Sequence, residues 1–355
     1  MALRRGGRLL LLAAMALAAS RARALRVRLG PADSEASHQS VLGADDLQKI
    51  RAHAGLYLDK TAHPEFARTL LLTVSNVAYA PILRNWRCHA DRLGLDYIVI
   101  ALDPQLAEET GPERTLLVQG TYFPEAQTFR HGQFNAMSCL KLQIVKDILK
   151  DTGFDVVFSD PDNVFRQDPF APNVSLGSKM RSGTYQYIYQ QNHGRLSLPN
   201  ASDIASEVSE GNTGFYFASG SSKVTAMQAL FQAALQECQW HPNIDDQTNF
   251  WAALKNVRVG NGSRTYGEDS FACANLCGRG ATCSSNGEEV LDYCEMDPWN
   301  HATGWEIKQY KGVNKIVTYH ANFVGGGIAR KIPKLQRAGF WDETCVNATT
   351  PKLAG

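Results

Sequence analysis

The sequence predicts an α/β fold, a mostly parallel sheet flanked by helices, with a cysteine-rich loop inserted late in the chain. Three observations carry this. Short, mostly apolar and β-branched runs recur at residues 69–74, 97–102 and 154–158, close to the pattern of parallel strands buried on both faces. Segments of helical period lie between them. Cys273, Cys277, Cys283 and Cys294 crowd into 22 residues rich in Gly, Asn and Ser, a segment that reads as a loop stapled to itself.

Taken in order, residues 69–74 form a first strand, residues 80–93 a helix ended by Gly94, and residues 97–102 a second strand, together a β-α-β unit. After a loop-rich interval, Leu140, Ile144 and Ile148 fall at helical spacing. They predict an amphipathic helix over residues 135–150 that stops at Gly153. A strand at 154–158 then delivers Ser159, Asp160, Pro161, Asp162 and Asn163 at its end. Further on, 214–218 reads as a strand, 223–238 and 246–255 as helices, and 315–320 as a late strand.

With 44% hydrophobic and 20% charged residues, the 355-residue chain has globular composition and length for a large core. Its net charge of +1 includes Arg4, Arg5, Arg8, Arg21 and Arg23, and removing those five leaves 1 − 5 = −4 for the remainder. No global basic field favours nucleic acid. The same arginines, the apolar run over 9–19, and Ala22 and Ala24 read as a signal peptide over residues 1–24. The run is too short to span a bilayer, so membrane association is expected only if the leader is kept as an anchor. Residues 25–66 lack a clear period and read as a stem, residues 67–345 as the main domain with the cysteine-rich insertion at 270–296, and residues 346–355 as a tail. Eight cysteines, and Asn-x-Ser/Thr sequons at Asn173, Asn200, Asn261 and Asn347, point to the lumen of the secretory pathway, where disulfides rather than zinc thiolates are expected.

The chemistry concentrates at Asp160 and Asp162. In open α/β sheets ligands gather at the carboxyl ends of strands. Two carboxylates two apart in an extended segment point the same way and can share a hard cation, magnesium or manganese, with phosphate oxygens. The string Ser-Asp-Pro-Asp-Asn also makes a good β-turn. A strand followed by Asp-x-Asp further fits aspartate-nucleophile phosphatases of the haloacid dehalogenase kind, but there the motif opens the domain, and here a complete β-α-β unit precedes it.

In this order the segments resemble the nucleotide-diphospho-sugar transferases of glycosyltransferase family 77, over residues 69–341. The resemblance rests on the strand and turn from Leu70 to Asn76, Asn85-Trp86, and the Lys141 helix leading to Phe158-Ser159-Asp160-Pro161-Asp162 and Asp168-Pro169. It continues through Asn212-Thr213-Gly214-Phe215, Asp246-Gln247 with Asn249, and His320-Ala321-Asn322 on to Gly325, Lys331, Gly339 and Trp341. It implies a Rossmann-type GT-A fold and transfer of a sugar from a nucleotide-diphosphate donor, UDP-linked, to a glycan or glycoprotein, with retention and in the Golgi. Asp160, Asp162 and His320 would hold Mn2+ or Mg2+. Thr73, Ser75 and Asn76 would hold the base and ribose, with Asp160, Asn212, Thr213, Gly214, Gly325 and Lys331 also on the donor and Asp246 and Gln247 near the anomeric carbon. Each has a plain alternative: a lone histidine is ordinarily structural, Gly325 to Gly327 can be a simple loop, and Asp245 or Asp246 can cap a helix. Pro161 departs from the family, which often has a β-branched residue there. A carbohydrate-binding or inactive relative is the competing class.

Overall fold

A computed structural model describes residues 40–118, 123, 125, 133–192, 211–258, 274–276, 291–304, 316–325 and 327–347. The signal peptide expected over residues 1–24, the sequons at Asn200 and Asn261, Cys273, Cys277, Cys283, Gly326 and the tail beyond Asn347 lie outside them. Asn173 and Asn347 are exposed.

The order is α1 (Ala44–His53), β1 (Thr69–Ser75), α2 (Ala80–Arg92), β2 (Ile98–Ala101), α3 (Pro104–Thr110), β3 (Thr115–Leu117), α4 (Phe134–Thr152), β4 (Asp155–Ser159) and β5 (Asn163–Phe165). It continues with α5 (Ser175–Ser182), β6 (Tyr187–Gln191), β7 (Gly211–Ala218), α6 (Val224–Trp240), α7 (Asp246–Arg258), β8 (Ala274–Leu276) and β9 (Leu291–Glu295). Then come β10 (His301–Thr303), β11 (Thr318–His320), α8 (Ile328–Ala338) and α9 (Glu343–Asn347). Helix α4 ends on Gly153 in the left-handed region, as its sequence predicts.

Eight strands form the main sheet in the order β3-β2-β1-β4-β7-β6-β9-β8. All run the same way except β7, which is antiparallel to both neighbours. This is the mostly parallel sheet flanked by helices that the sequence predicts. A small sheet, β10-β11-β5, sits beyond the end of β4.

Alternation along the strands divides the core. Leu70, Leu72 and Val74 pack with Ile144, Val145 and Ile148 of α4 and with Leu230 and Phe250 of α6 and α7. Leu71, Val99 and Val157, pointing the other way, meet Leu83 and Trp86 of α2 and Leu176 of α5. Cys88–Cys345 ties α2 to α9, and Cys139–Cys238 ties α4 to α6.

Three expectations are corrected. The stem over 25–66 belongs, from Ser40 on, to the folded body: Ser40 Oγ and Val41 N donate to the Asp147 carboxylate at 3.1 and 2.9 Å, and Ile50 and Leu56 are buried. Helix α1 shows no apolar stripe because Ile50 is its only fully buried residue. The cysteine-rich insertion is not all loop, since β8 and β9 extend the sheet from β6 by parallel pairing. Finally, Asn212, Thr213 and Gly214 do not precede a strand but open β7 itself, which begins at Gly211. Their small and polar side chains hide the strand from a reading based on apolar runs.

A chain starting at residue 67 loses the buried side chains Leu42, Ile50 and Leu56, worth about 1.5–3 kcal/mol each. Cooperative thermal unfolding, followed by circular dichroism, is expected to survive truncation to Ser40 and to be lost on truncation to residue 67.

Candidate active site

Because β7 is reversed, its first residues lie beside the carboxyl end of β4, with Ser159 paired to Phe215 and Asp160 N donating to Gly214 O at 2.6 Å. After β4 the chain turns: Asn163 N donates to Asp160 O at 2.9 Å, which closes a β-turn with Pro161 inside it. The two aspartates therefore converge through a turn and not, as expected, along an extended segment; Pro161 supplies the fixed φ that such a turn uses at its second position. The turn leads into β5, which pairs antiparallel with β11 so that His320 lies opposite Asn163. Ala321 N donates to Asp162 O at 2.9 Å. One oxygen each of Asp160 and Asp162 and one nitrogen of His320 fall within 4.8 Å of one another.

Gly214 is required for this convergence. A Cβ there would stand 2.5 Å from both Asp160 Oδ2 and His320 Cε1.

Asp162 is 2% exposed. Burial pushes its carboxyl up, but the Lys331 ammonium at 2.6 Å from Oδ2 outweighs burial and holds it well below the usual carboxylate range. Burial likewise works against charge on Lys331, and Asp162 reverses the sign and raises it. Asp160 pairs with Lys141 of α4 at 3.1 Å, and the same ammonium lies 3.5 Å from Asp246 Oδ2. Burial lowers Lys141 and its carboxylate partners raise it by more. Asp246 is pushed up by burial, with Lys141 opposing, and accepts from Thr213 Oγ1 at 2.9 Å. The choice between Asp245 and Asp246 as helix cap is resolved: Asp245 Oδ1 accepts from Thr248 N at 3.0 Å, which leaves the Asp246 side chain to Thr213 and Lys141.

These groups line one cavity of about 530 Å3, together with Ser75, Asn76, Asn212, Gln247, Gly325 and Gly327. Thr73 is not at its wall. It lies two residues inside the sheet from Ser75, fully buried, with its hydroxyl unpaired. The Asn76 side chain is already engaged, its amide donating to Phe123 O and Glu125 O and its oxygen accepting from Tyr79 N. Gly325 is at the wall, but a Cβ there would meet open space.

Two contacts escape sequence reasoning in their roles. Lys141 links Asp160 to Asp246, and Gln190, fully buried at the end of β6, accepts from His320 Nδ1 at 3.0 Å. No sequence spacing ties Gln190 to His320, 130 residues away. Two carboxylates and an imidazole make a donor set that could hold a divalent metal ion, and the space that Gly214 leaves open lies between Asp160 and His320.

The sequence pattern of the nucleotide-diphospho-sugar transferase family matches residues 95–335. No curated protein matches the sequence. Among solved structures, the glycosyltransferase GlyE of Streptococcus pneumoniae TIGR4 is similar at 10% identity over 79% of this chain, with a TM-score of 0.39, and this chain spans 62% of it. The galactosyltransferase LgtC, solved in complex with donor and acceptor sugar analogs, is similar at 8% identity over 76% of this chain and 95% of its own, with a TM-score of 0.40.

Gly214→Ala is expected to weaken Mn2+ binding, measured by isothermal titration calorimetry, by about 10-fold or more, as displaced ligands do. Gly325→Ala, whose new methyl meets no atom, leaves it unchanged.

Proposed function

The chain belongs to the nucleotide-diphospho-sugar transferase family, and on that premise we propose that this glycosyltransferase moves a sugar from a UDP-linked donor to a glycan or glycoprotein hydroxyl. It does so with a divalent cation at Asp160, Asp162 and His320, with retention, in the lumen of the secretory pathway. The observation that carries this reading is the convergence of those three side chains with Lys331 in the wall of one cavity. When bound, manganese or magnesium supplies neutralisation of the charge that grows on a departing diphosphate.

The chain's own groups share that work. Lys331 adds a point charge beside Asp162, and α8 opens at Gly327 on the cavity wall, where a helix N-terminus favours an anionic group. Ser75 and Asn76, at the end of β1, line the same cavity and are placed for the nucleoside. Asn212, Thr213 and Gly214 face the donor sugar. Asp246 and Gln247, at the start of α7, line the same cavity as Lys331 and are assigned as the groups nearest the anomeric carbon. Retention needs no dedicated base, because the departing diphosphate accepts the acceptor's proton on the face where the new bond forms. The luminal address is supported by the signal-like pattern of residues 1–24 and by disulfides between distant segments. No helix among the described residues is long and apolar enough to cross a membrane.

Purified protein, incubated with a panel of UDP-sugars with and without manganese, is expected to release UDP only with the metal. Release from none of them, or release that survives chelation, sinks the reading. Asp162→Asn is expected to lower turnover by about 10²-fold or more. Its fold should survive, because Lys331, with 20% of its side chain exposed, can turn its charge to water. Lys141→Met removes the group that opposes the burial-driven rise of Asp246. If the Asp246 carboxylate is the working form, the acid limb of the pH–rate profile moves to higher pH by about 1–3 units. An unmoved limb removes Asp246 from that role.

A further inference from the structure

Gln190 lies where the main sheet meets the small one, just past a break in the β6–β7 register that pairs it with Asn212. Its Nε2 donates to the backbone oxygens of His301 and Ala302 in β10, both at 3.2 Å. Only the NH2 end of a carboxamide can face two carbonyl oxygens, so the amide cannot be flipped and Oε1 points to His320 Nδ1 at 3.0 Å. An amide oxygen never donates, so the proton in that bond belongs to Nδ1. A neutral imidazole carries one N–H, and Nε2 is therefore left with its lone pair.

Two acceptors compete for that single proton. Asp162 Oδ1 stands 3.6 Å from Nε2, too far for a hydrogen bond, and the carboxylate is engaged through its other oxygen by Lys331 at 2.6 Å. Gln190 is at bonding distance, and its orientation is fixed by the two β10 carbonyls. We propose that Gln190 is a positioning residue that locks His320 in the Nδ1–H tautomer, so that Nε2 presents a lone pair, not a proton, to the space between Asp160 and Asp162. Without it the anionic Asp162 would draw the proton to Nε2, and a hydrogen bond would occupy the space a cation needs. The consequence for metal binding rests on the cation site proposed above; the tautomer does not.

The test uses the whole protein labelled with 15N-histidine, freed of metal, at a pH above which the His320 ring-nitrogen shifts no longer change, so that the ring carries a single proton. Two-bond 1H–15N spectra report which ring nitrogen carries the proton, and the His320→Asn variant identifies the His320 signals. The wild type is expected to show Nδ1–H. Gln190→Met, which keeps side-chain length and removes both polar ends, is expected to shift His320 toward Nε2–H and to weaken Mn2+ binding by about 10–100-fold. Gln190→Glu, which gives up the donor to β10 but keeps an acceptor at Nδ1, is expected to keep a proton on Nδ1. An Nε2–H signal in the wild type overturns the proposal, as does Gln190→Met with unchanged tautomer and unchanged Mn2+ affinity. Should Gln190→Met fail to fold, the wild-type and Gln190→Glu spectra still decide. Wild-type protein with Nδ1–H and no affinity for Mn2+ would leave the lock standing and remove the cation site.

Discussion

Carboxylates brought together in a buried cleft repel one another, and the arrangement of Asp160, Asp162 and Asp246 persists because two ammonium groups divide the repulsion. At an effective dielectric constant near 20, unit charges 4 Å apart interact by about 4 kcal/mol before desolvation is counted. Removing either lysine would therefore cost a large part of a domain's stability margin unless a carboxylate took up a proton. Lys141 comes from α4 and bridges Asp160 to Asp246, while Lys331 comes from α8 and holds Asp162. Three carboxylates against two ammonium groups leave an anionic excess. That excess, beside an imidazole nitrogen, is what the proposed divalent cation would balance, so that affinity for metal would share its electrostatic origin with the site's own stability.

The reversal of β7 makes this geometry reachable. Had β7 run parallel to β4, Asn212, Thr213 and Gly214 would have opened at the far edge of the sheet, a strand's length from Asp160. Running backwards, it sets the small residue Gly214 against the turn, where its carbonyl receives Asp160 N and its missing Cβ makes room for Asp160 and His320. The small sheet has a matching function. By pairing β11 with β5, it carries His320 to the turn from 158 residues further along the chain (320 − 162).

The main strands and long helices were legible in the sequence because their apolar runs and periods are strong: β1, β4, α2 and α4 fall within about two residues of where those signals end. Helix α1 was not, since one buried isoleucine makes no stripe. Nor were β8 and β9, which lie among glycines and cysteines that read as loop. At the site, Asp160, Asp162, His320 and Lys331 were each visible as residue types, but sequence could not say that Asp162 and Lys331 would bind each other. Gln190 was invisible, because its significance arises from three backbone and side-chain contacts made across two sheets. Several residues that marked the resemblance hold the scaffold and not the site. Asn85 bonds Phe340 O and Asp342 N, Trp86 donates to Ser159 Oγ, and Asp168 accepts from Tyr57. A signature of this kind fixes the frame in which the site stands, which is why it can be strong even where individual site roles are not written in it.

Gly214 and Gly325 separate two reasons for a glycine at such a site. Both line the cavity. At position 214 the protein itself forbids a side chain, since a methyl group would lie 2.5 Å from two of the residues it helps to assemble. At position 325 nothing within 4 Å would be disturbed, and the backbone there needs no left-handed φ. Packing therefore explains the first and is silent on the second, where any requirement for glycine must come from what enters the cavity. The same division runs through the site: Gly214, Gln190 and Lys141 shape the residues around them, whereas Gly325 and Gln247 stand at the wall facing the space they enclose.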